Sequence, residues 1–286
     1  MNIFKKAVIE QLNSKPIWSV AVHDGVVHAD DVFCTALLRR LAKECGFELK
    51  LYRTREPKIL KAVDMRVDVG GRYSVATLDF DHHQKDEALM QPEGIKHAAI
   101  GLLCKWCMVP EFYQIFKEQY LLGLEYQDNN GKSHPKYSSV GFFVQPMMPA
   151  YGEDLDINEA FEIAVGIAET ILDRCIKTVE GLLKAEEELP TLIEESIAGG
   201  QIIILKKRVP IMQQRHPTLA FSILRLDSGY SFLGYNGHLL LPHLRGLRGE
   251  QIERKCGYSG VYTHPGGFTG TMDTLEGAKE ICVRSL

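Results

Sequence analysis

The 286-residue chain has no apolar run near the roughly 20 residues that a bilayer-spanning helix needs. Its first fifteen residues also lack the long apolar stretch of a secretory signal. No membrane association is therefore expected. Cysteine is sparse and odd in number: Cys34, Cys45, Cys104, Cys107, Cys175, Cys256 and Cys282 lie scattered in mostly apolar settings. That pattern excludes a disulfide framework and points to reduced thiols, so a cytoplasmic or equally reducing location is expected. A strong excess of one charge is missing too. A formal net charge of −4 argues against nonspecific binding of duplex nucleic acid over the whole surface. There is no internal repeat and no low-complexity tract. Histidine is scarce, at ten residues, so where it concentrates is informative.

What remains is the composition of a soluble globular protein, 45% hydrophobic and 24% charged, long enough for one large or two ordinary domains. Charge is unevenly placed. From Thr191 onward eleven Lys or Arg stand against eight Asp or Glu, whereas the rest holds 22 against 29. An acidic half suits a metal site and a mildly basic half suits an anion grip. "IWSVAV" (17–22) reads as a buried strand, and "ADDVFCTALLRRLAKECG" as a helix whose stop is Gly46. "LKLYRT" (49–54), "MRVDVGG" (65–71) and the alternating "SVATLDFD" read as further strands. Residues 98–127 are helical in character with a break near Pro110. A long amphipathic helix is predicted from Ile157 to Leu189, with the stripe Ala160, Phe161, Ala164, Ile167, Ala168, Ile171, Cys175, Val179 and Leu182, ended by Pro190. Beyond it "QIIIL", "TLAFSILRL" and "SFLGY" read as strands. Asp273 and Glu276 form a capping-box pattern for a final helix. The fold class is α/β: an N-terminal, largely parallel sheet flanked by helices, a long connecting helix and a smaller α/β C-terminal domain. The domain boundary is placed at Pro190, giving a metal-binding catalytic domain over 1–190 and a substrate-binding domain over 191–286.

In parallel sheets ligands gather beyond the carboxyl ends of the strands. Four separate segments bring carboxylates or imidazoles there: His23, His28, Asp30 and Asp31; Asp68; Asp81, His82 and His83; and Asp128 in "EYQDNNG". Taken singly each has a bland reading. His23 could be a turn residue, "HADD" a helix cap with acids at the dipole, and Asp68 part of a Gly-Gly turn. The Asp81-His82-His83 triplet has few structural reasons to exist. A mixed carboxylate–imidazole set without thiolate suits Mn²⁺ or Mg²⁺. An acid shared by two ions would let them sit roughly 3.5–4 Å apart, the arrangement that supports in-line attack on phosphorus.

"HDGVVHADD", "VDVGG", "DFDHHQ" and "EYQDNNG", with the later "RGLRGE" and "THPGGFTG", resemble the motifs of the DHH phosphoesterase superfamily in its Myg branch. The resemblance runs from about Trp18 to Ala278. That branch is often labelled metal-dependent protein hydrolase, although nothing in this sequence suggests a peptide-binding groove. The resemblance implies two divalent ions, Mn²⁺ first and Mg²⁺ second, held by His23, His28, Asp30, Asp68, His82 and Asp128. It implies that Asp81 orients a histidine and that His83 contacts the scissile phosphate. It further implies a 3′–5′ exonuclease-like phosphodiesterase acting on short single-stranded RNA or a nucleotide. Two departures stand out. "KHAAIG" (96–101) replaces the usual Ser-Ser-Ala, so His97 would have to stand in for those hydroxyls, and "DNNG" is one residue longer than the usual loop.

The C-terminal segment offers the substrate grip. Arg245 and Arg248 in "HLRGLRGE" are three apart among glycines, and guanidinium forks match phosphate oxygens. His264, Gly266 and Gly267 in "THPGGFTG" would let backbone approach a phosphate, with Phe268 or Tyr262 able to stack on a base. A pair of surface loops is the bland alternative. Cys104-x-x-Cys107 has no second pair nearby and reads as core, and "KKR" (206–208) as a solvated turn. Two other functions stay open: a phosphatase or pyrophosphatase on a small anhydride or nucleotide, and a non-catalytic metal- or nucleotide-binding protein. Oligomeric state is open as well, a homo-oligomer included.

Overall fold

The computed structural model describes residues 2–286 and divides into two compact units, Met1–Glu180 and Gly181–Leu286. The first unit runs α1 (Lys6–Leu12), β1 (Ile17–Val22), α2 (Ala29–Cys45), β2 (Glu48–Arg53), α3 (Pro57–Ala62), β3 (Met65–Val67), β4 (Tyr73–Ser74) and β5 (Asp79–Phe80). It continues with α4 (Ala99–Cys107), α5 (Pro110–Phe116) and α6 (Leu122–Asn130). The last two are joined by a π-helical turn over Lys117–Leu121. Its sheet has the order β2-β1-β3-β5-β4, in which β1–β2, β1–β3 and β3–β5 pair in parallel and only the edge strand β4 is antiparallel. The expected parallel sheet flanked by helices is what forms. Its core includes Val20, Val22, Leu37, Leu41, Met65, Val67 and Phe80, all buried.

Local chemistry sets these limits. Gly46 ends α2 at φ 75°, and its N–H donates to the Ala42 carbonyl, as a left-handed C-cap requires. Pro110 sits in the first turn of α5, where its missing N–H costs nothing, so the expected break falls there. The alternating run "SVATLDFD" is not one strand. After β4 the chain turns through a 3₁₀ segment, Val75–Thr77, and Leu78 takes φ 53° before β5 returns antiparallel. Asp79 explains the turn: its carboxylate accepts from Arg66, Arg72 and the Thr77 hydroxyl, which folds the segment back on itself.

The long helix α7 (Ile157–Leu192) continues two residues beyond Pro190, which lies in its last turn, and the division between the units falls inside it. Its buried stripe is rotated slightly from the predicted one. Val165, Leu172, Ile176 and Leu183 are buried, whereas Ile167, Ile171 and Leu182 are half-buried.

The second unit adds β6 (Ile193–Ile197), β7 (Ile202–Leu205), β8 (Phe221–Leu226), β9 (Gly229–Gly234), α8 (Glu250–Cys256), β10 (Gly260–Thr263), β11 (Thr269–Met272) and α9 (Leu275–Val283). Its six strands follow the order β10-β11-β9-β8-β7-β6, antiparallel except for β7–β8. A separate core of Ile202, Ile204, Phe221, Ile223, Phe232, Leu240, Met272 and Ile281 packs this sheet against its helices. The N-cap of α9 is Thr274, whose hydroxyl accepts from the Gly277 N–H, and not Asp273. All seven cysteines are free and six are buried; Cys104 and Cys107 are core residues in α4.

Candidate metal centre

Because β1, β3 and β5 run parallel, their carboxyl ends share one edge, and the residues that follow each strand meet there. His23 follows Val22, Asp68 follows Val67, and Asp81 follows Phe80. Asp68 leaves its strand at φ 56°, a left-handed conformation uncommon outside glycine, and Gly70 and Gly71 continue the turn at φ 103° and 70°. Backbone in so rare a region persists where the surroundings fix it, and such residues cluster at functional sites. The Asp68 amide stays tied to the sheet through the Phe80 carbonyl, 3.1 Å away.

Asp30 and Asp31 enter from the first turn of α2, and both are fully buried. Asp30 accepts the amides of Ala99 and Ile100, at 2.8 and 2.7 Å, so it also caps the start of α4. Asp31 Oδ1 accepts the His28 amide at 3.0 Å, while its Oδ2 is buried and, among the described residues, accepts no hydrogen bond. Asp128 comes from the last turn of α6. The extra asparagine of "DNNG" lies after it inside that helix, where Asn129 Nδ2 donates to the Glu125 carbonyl at 2.8 Å.

The six sequence-predicted ligands, joined by His83, fall into overlapping groups: His23, His28 and Asp68; Asp68, His82 and His83; Asp30, His82 and Asp128. Asp68 spans the set with both oxygens. Its Oδ2 is 3.1 Å from His23 Nε2, and its Oδ1 is 3.3 Å from His82 Nε2. His23 Nε2 also faces His28 Nδ1 at 3.3 Å and Asp31 Oδ2 at 3.6 Å. His82 Nε2 faces Asp128 Oδ2 at 3.3 Å and Asp30 Oδ2 at 3.6 Å.

These donors fit divalent cations. His23 Nδ1 lies 3.1 Å from the Asp24 carbonyl, which can only accept, so in the neutral ring the proton sits on Nδ1 and the Nε2 lone pair faces the acids. Among the described residues neither ring nitrogen of His82 has a hydrogen-bond partner, and Asp68 Oδ1 has none either. Orphaned buried acceptors crowded on one another are costly, and among the described residues no Lys or Arg pairs with Asp30, Asp31, Asp68 or Asp128. Divalent cations between them would take up the lone pairs that face one another. Titration reflects the same crowding. Burial, then the charges of Asp128 and Asp68, push Asp30 well above the usual carboxylate range. Burial pushes Asp31 up to about 7 against the pull of His23, and Asp128 up to about 6 against the pull of His82. Burial would raise Asp68 too, yet the nearby imidazoles of His23 and His82 outweigh it and hold this carboxyl well below the usual range.

Asp81 is buried beside the groups and accepts from the Gly71 amide at 2.5 Å, the His83 amide at 3.1 Å and His83 Nδ1 at 2.6 Å. It orients His83, whose pKa this bond raises and whose side chain is 62% exposed, against 5% for His82. His83 thus faces the opening of the centre. A cavity of about 870 Å³ lies over it, lined by His28, His82, His83 and Asp128 and further by Lys96, Lys132, Gln127 and Phe142. A second hollow of about 520 Å³ lies between α2 and α7 and carries none of the ligands.

His97 points away from the cavity lining. It is buried, and its Nδ1 is 2.8 Å from Glu125 Oε1. Several residues escaped the sequence reading. Asp31 was visible among the acids but has a capping role that hid its free oxygen. Lys132 and Phe142 lie outside every motif, while Lys96 and Gln127 lie in quoted stretches without having been singled out.

In the second unit Arg245, His264, Gly266 and Gly267 come together. Arg245 Nε donates to the Leu240 carbonyl at 2.6 Å, and Gly267 packs so close that a Cβ there would lie 2.7 Å from that Nε. The His264 ring accepts the Gly266 amide at 2.9 Å. Arg248 is exposed and bridges to Tyr262 at the edge of β10. "THPGGFTG" is the turn of the β10–β11 hairpin, not a free loop.

A family model named MYG1_exonuc and described as "Uncharacterised protein family (UPF0160)" matches residues 19–107. The MYG1 protein of Schizosaccharomyces pombe is 24% identical over 93% of this chain and 97% of its own. A human protein named MYG1 exonuclease is 25% identical over 91% of this chain and 83% of its own. Among solved structures, RecJ from Thermus thermophilus in complex with Mn²⁺ overlays with a TM-score of 0.32 at 18% identity, over 98% of this chain. The chain spans about half the length of that RecJ, 53%. No helix among the described residues is long and apolar enough to cross a membrane. With its four motifs joined at one sheet edge, the chain is similar over nearly its whole length to proteins named MYG1, and the family model of that name matches its residues 19–107.

Proposed function

We propose that the chain is a phosphodiesterase that removes nucleotides from an end of short single-stranded RNA, with two divalent ions, Mn²⁺ by preference, held by His23, His28, Asp30, Asp68, His82 and Asp128. One observation carries this reading: Asp68 turns one oxygen to His23 and the other to His82, so a single carboxylate serves two ligand groups. The relatives named MYG1 exonuclease support the class of reaction. When bound there, the pair of cations would supply Lewis acidity that makes water a usable nucleophile and takes up charge on the phosphoryl oxygens.

The chain's own residues do the rest. Asp81 fixes the His83 ring through Nδ1, leaving Nε2 as the hydrogen-bonding position for an oxygen of the scissile phosphate. Asp30 is held rigid by two amides of α4, so its carboxylate cannot swing out of the set. The exposure of His83 and the cavity above it favour turnover over a closed structural site. Arg245, Arg248, His264, Gly266 and Gly267 form the phosphate grip of the second unit in this reading. Free, mostly buried cysteines support a cytoplasmic location.

The test is Asp68→Ala assayed on end-labelled oligoribonucleotide with Mn²⁺. Cleavage is expected to fall by at least a hundredfold while the circular dichroism spectrum is kept. Turnover equal to the parent would overturn the assignment. Pyrophosphate and mononucleotides in the same panel separate the exonuclease from a phosphatase. Calorimetry beside the product assay separates both from a protein that binds without turnover.

A further inference from the structure

The cavity over the centre has a far wall that the hydrolytic reading leaves unused. We propose that it is a subsite for the terminal nucleoside of the substrate, in which the Phe142 ring stacks on the base, Lys132 meets the adjoining phosphate and Gln127 accepts a hydrogen bond from the nucleoside. This rests on the phosphodiesterase reading above and adds how the end of the strand is recognised.

Several independent features point there. Phe142 lines the same cavity as His83 and Asp128, is 44% exposed and makes no ring contact with another aromatic side chain among the described residues. A single exposed aromatic is ordinary on a surface. This one is held in place. Its 3₁₀ turn, Val140–Phe143, begins with the Ser139 hydroxyl accepting the Gly141 amide at 3.1 Å. Gly141 packs so tightly that a Cβ there would meet Ala29 at 2.8 Å, tying the turn to the start of the helix that carries Asp30 and Asp31. The same stretch is fastened a second time, because the Val27 amide lies 3.2 Å from the Met148 sulfur.

Gln127 supplies a second pointer. Gln127 lines this cavity, and its Oε1 is buried and, among the described residues, has no hydrogen-bond partner. A buried acceptor left open costs free energy that a ligand donor restores, and sugars and bases carry such donors whereas a bare phosphate has none. Lys132 lies on the rim, exposed and, among the described residues, without an ion-pair partner, so its ammonium is free for an anion. The volume of about 870 Å³ lies in the upper part of the range of small-ligand sites, roughly 300–1,000 Å³, and exceeds what a phosphate alone would fill. Base–aromatic stacking tolerates any sequence because every base offers a flat face, so the subsite reads an end and not a sequence.

The experiment compares oligoribonucleotides ending in a normal nucleotide with ones whose terminal residue is abasic, the abasic unit being placed at each end in separate substrates. With the parent protein and Mn²⁺, kcat/KM is expected to favour the base-bearing end by about tenfold at the end that is attacked. In Phe142→Ala that ratio is expected to collapse toward one, mainly through KM, and Phe142→Tyr to retain it. Equal rates on both substrates by the parent protein, or a parental ratio kept by Phe142→Ala, would overturn the subsite and leave the phosphodiesterase reading intact. Cleavage of neither substrate by the parent would overturn both.

Discussion

At the scale of single residues, the site depends on groups placed by neighbours with no chemistry of their own. Glu125 is fully buried and accepts from Gln91 Nε2 at 2.7 Å, from His97 Nδ1 at 2.8 Å and from the Ala98 amide at 3.3 Å. It thereby fixes the entry to α4, whose next two amides hold Asp30. Room for that carboxylate exists because residue 101 is glycine: a Cβ there would lie 1.6 Å from Glu125 Oε1 and 2.6 Å from its Cδ. In an open helix Gly→Ala gains about 1 kcal/mol of helix propensity. Here the sign reverses. Gly101→Ala must expel a buried carboxylate and strand His97 and Gln91, a loss of about 2–4 kcal/mol by the cost of overpacking and of unpaired buried polar groups. Urea denaturation of the variant is expected to show a lower midpoint at unchanged slope; a midpoint equal to or above that of the parent would show that Glu125 has another place to go.

At the scale of elements, the β4–β5 turn is where the sequence was least legible and the physics most specific. Alternation in "SVATLDFD" suits a strand, but it cannot report that Asp79 gathers Arg66, Arg72 and Thr77 from three sides. Burial alone would raise the pKa of Asp79; the Thr77 hydroxyl and the two guanidinium groups outweigh it and hold the carboxyl below its ordinary value. A carboxyl depressed in the folded state adds stability above its unfolded pKa of about 4, and that stability is lost as pH falls through the lower folded value. Asp79→Asn is therefore expected to cost on the order of 2–3 kcal/mol at pH 7, with a smaller difference from the parent at pH 3, as measured by thermal melts at both pH values. A deficit that grows toward pH 3 would refute the assigned network. Other elements were legible for plain reasons. The strand ends that carry His23, Asp68 and Asp81 stood out because parallel strands read as short apolar runs and their acids follow at once. The stripe of α7 was found with a rotation of about one residue, since Val165, Leu172 and Ile176 fit a helical face as well as the residues chosen. The free oxygens of Asp31 and Gln127 were not legible at all: an orphaned atom is defined by what surrounds it in space.

At the scale of the whole molecule, two units with separate sheets and cores predict that the ions stabilise only part of the chain. Every proposed ligand lies before Glu180, and in the absence of a cation that unit must bury carboxylates facing one another and imidazole lone pairs. The first unit should thus respond strongly to divalent metal and the second not at all. At a free Mn²⁺ concentration of 100 times Kd, binding to the folded state alone adds about 2.7 kcal/mol per site. For a unit of this size each kcal/mol raises Tm by about 2–4 °C, so two sites would raise it by roughly 10–20 °C. Calorimetry in EDTA and in Mn²⁺ is expected to separate two transitions, one moving with metal and one fixed. The Asp68→Ala variant should remove most of the movement, because it takes a ligand from both groups at once. A melting profile indifferent to Mn²⁺ would show that the acids and imidazoles at the sheet edge hold no cation, whatever activity the chain displays.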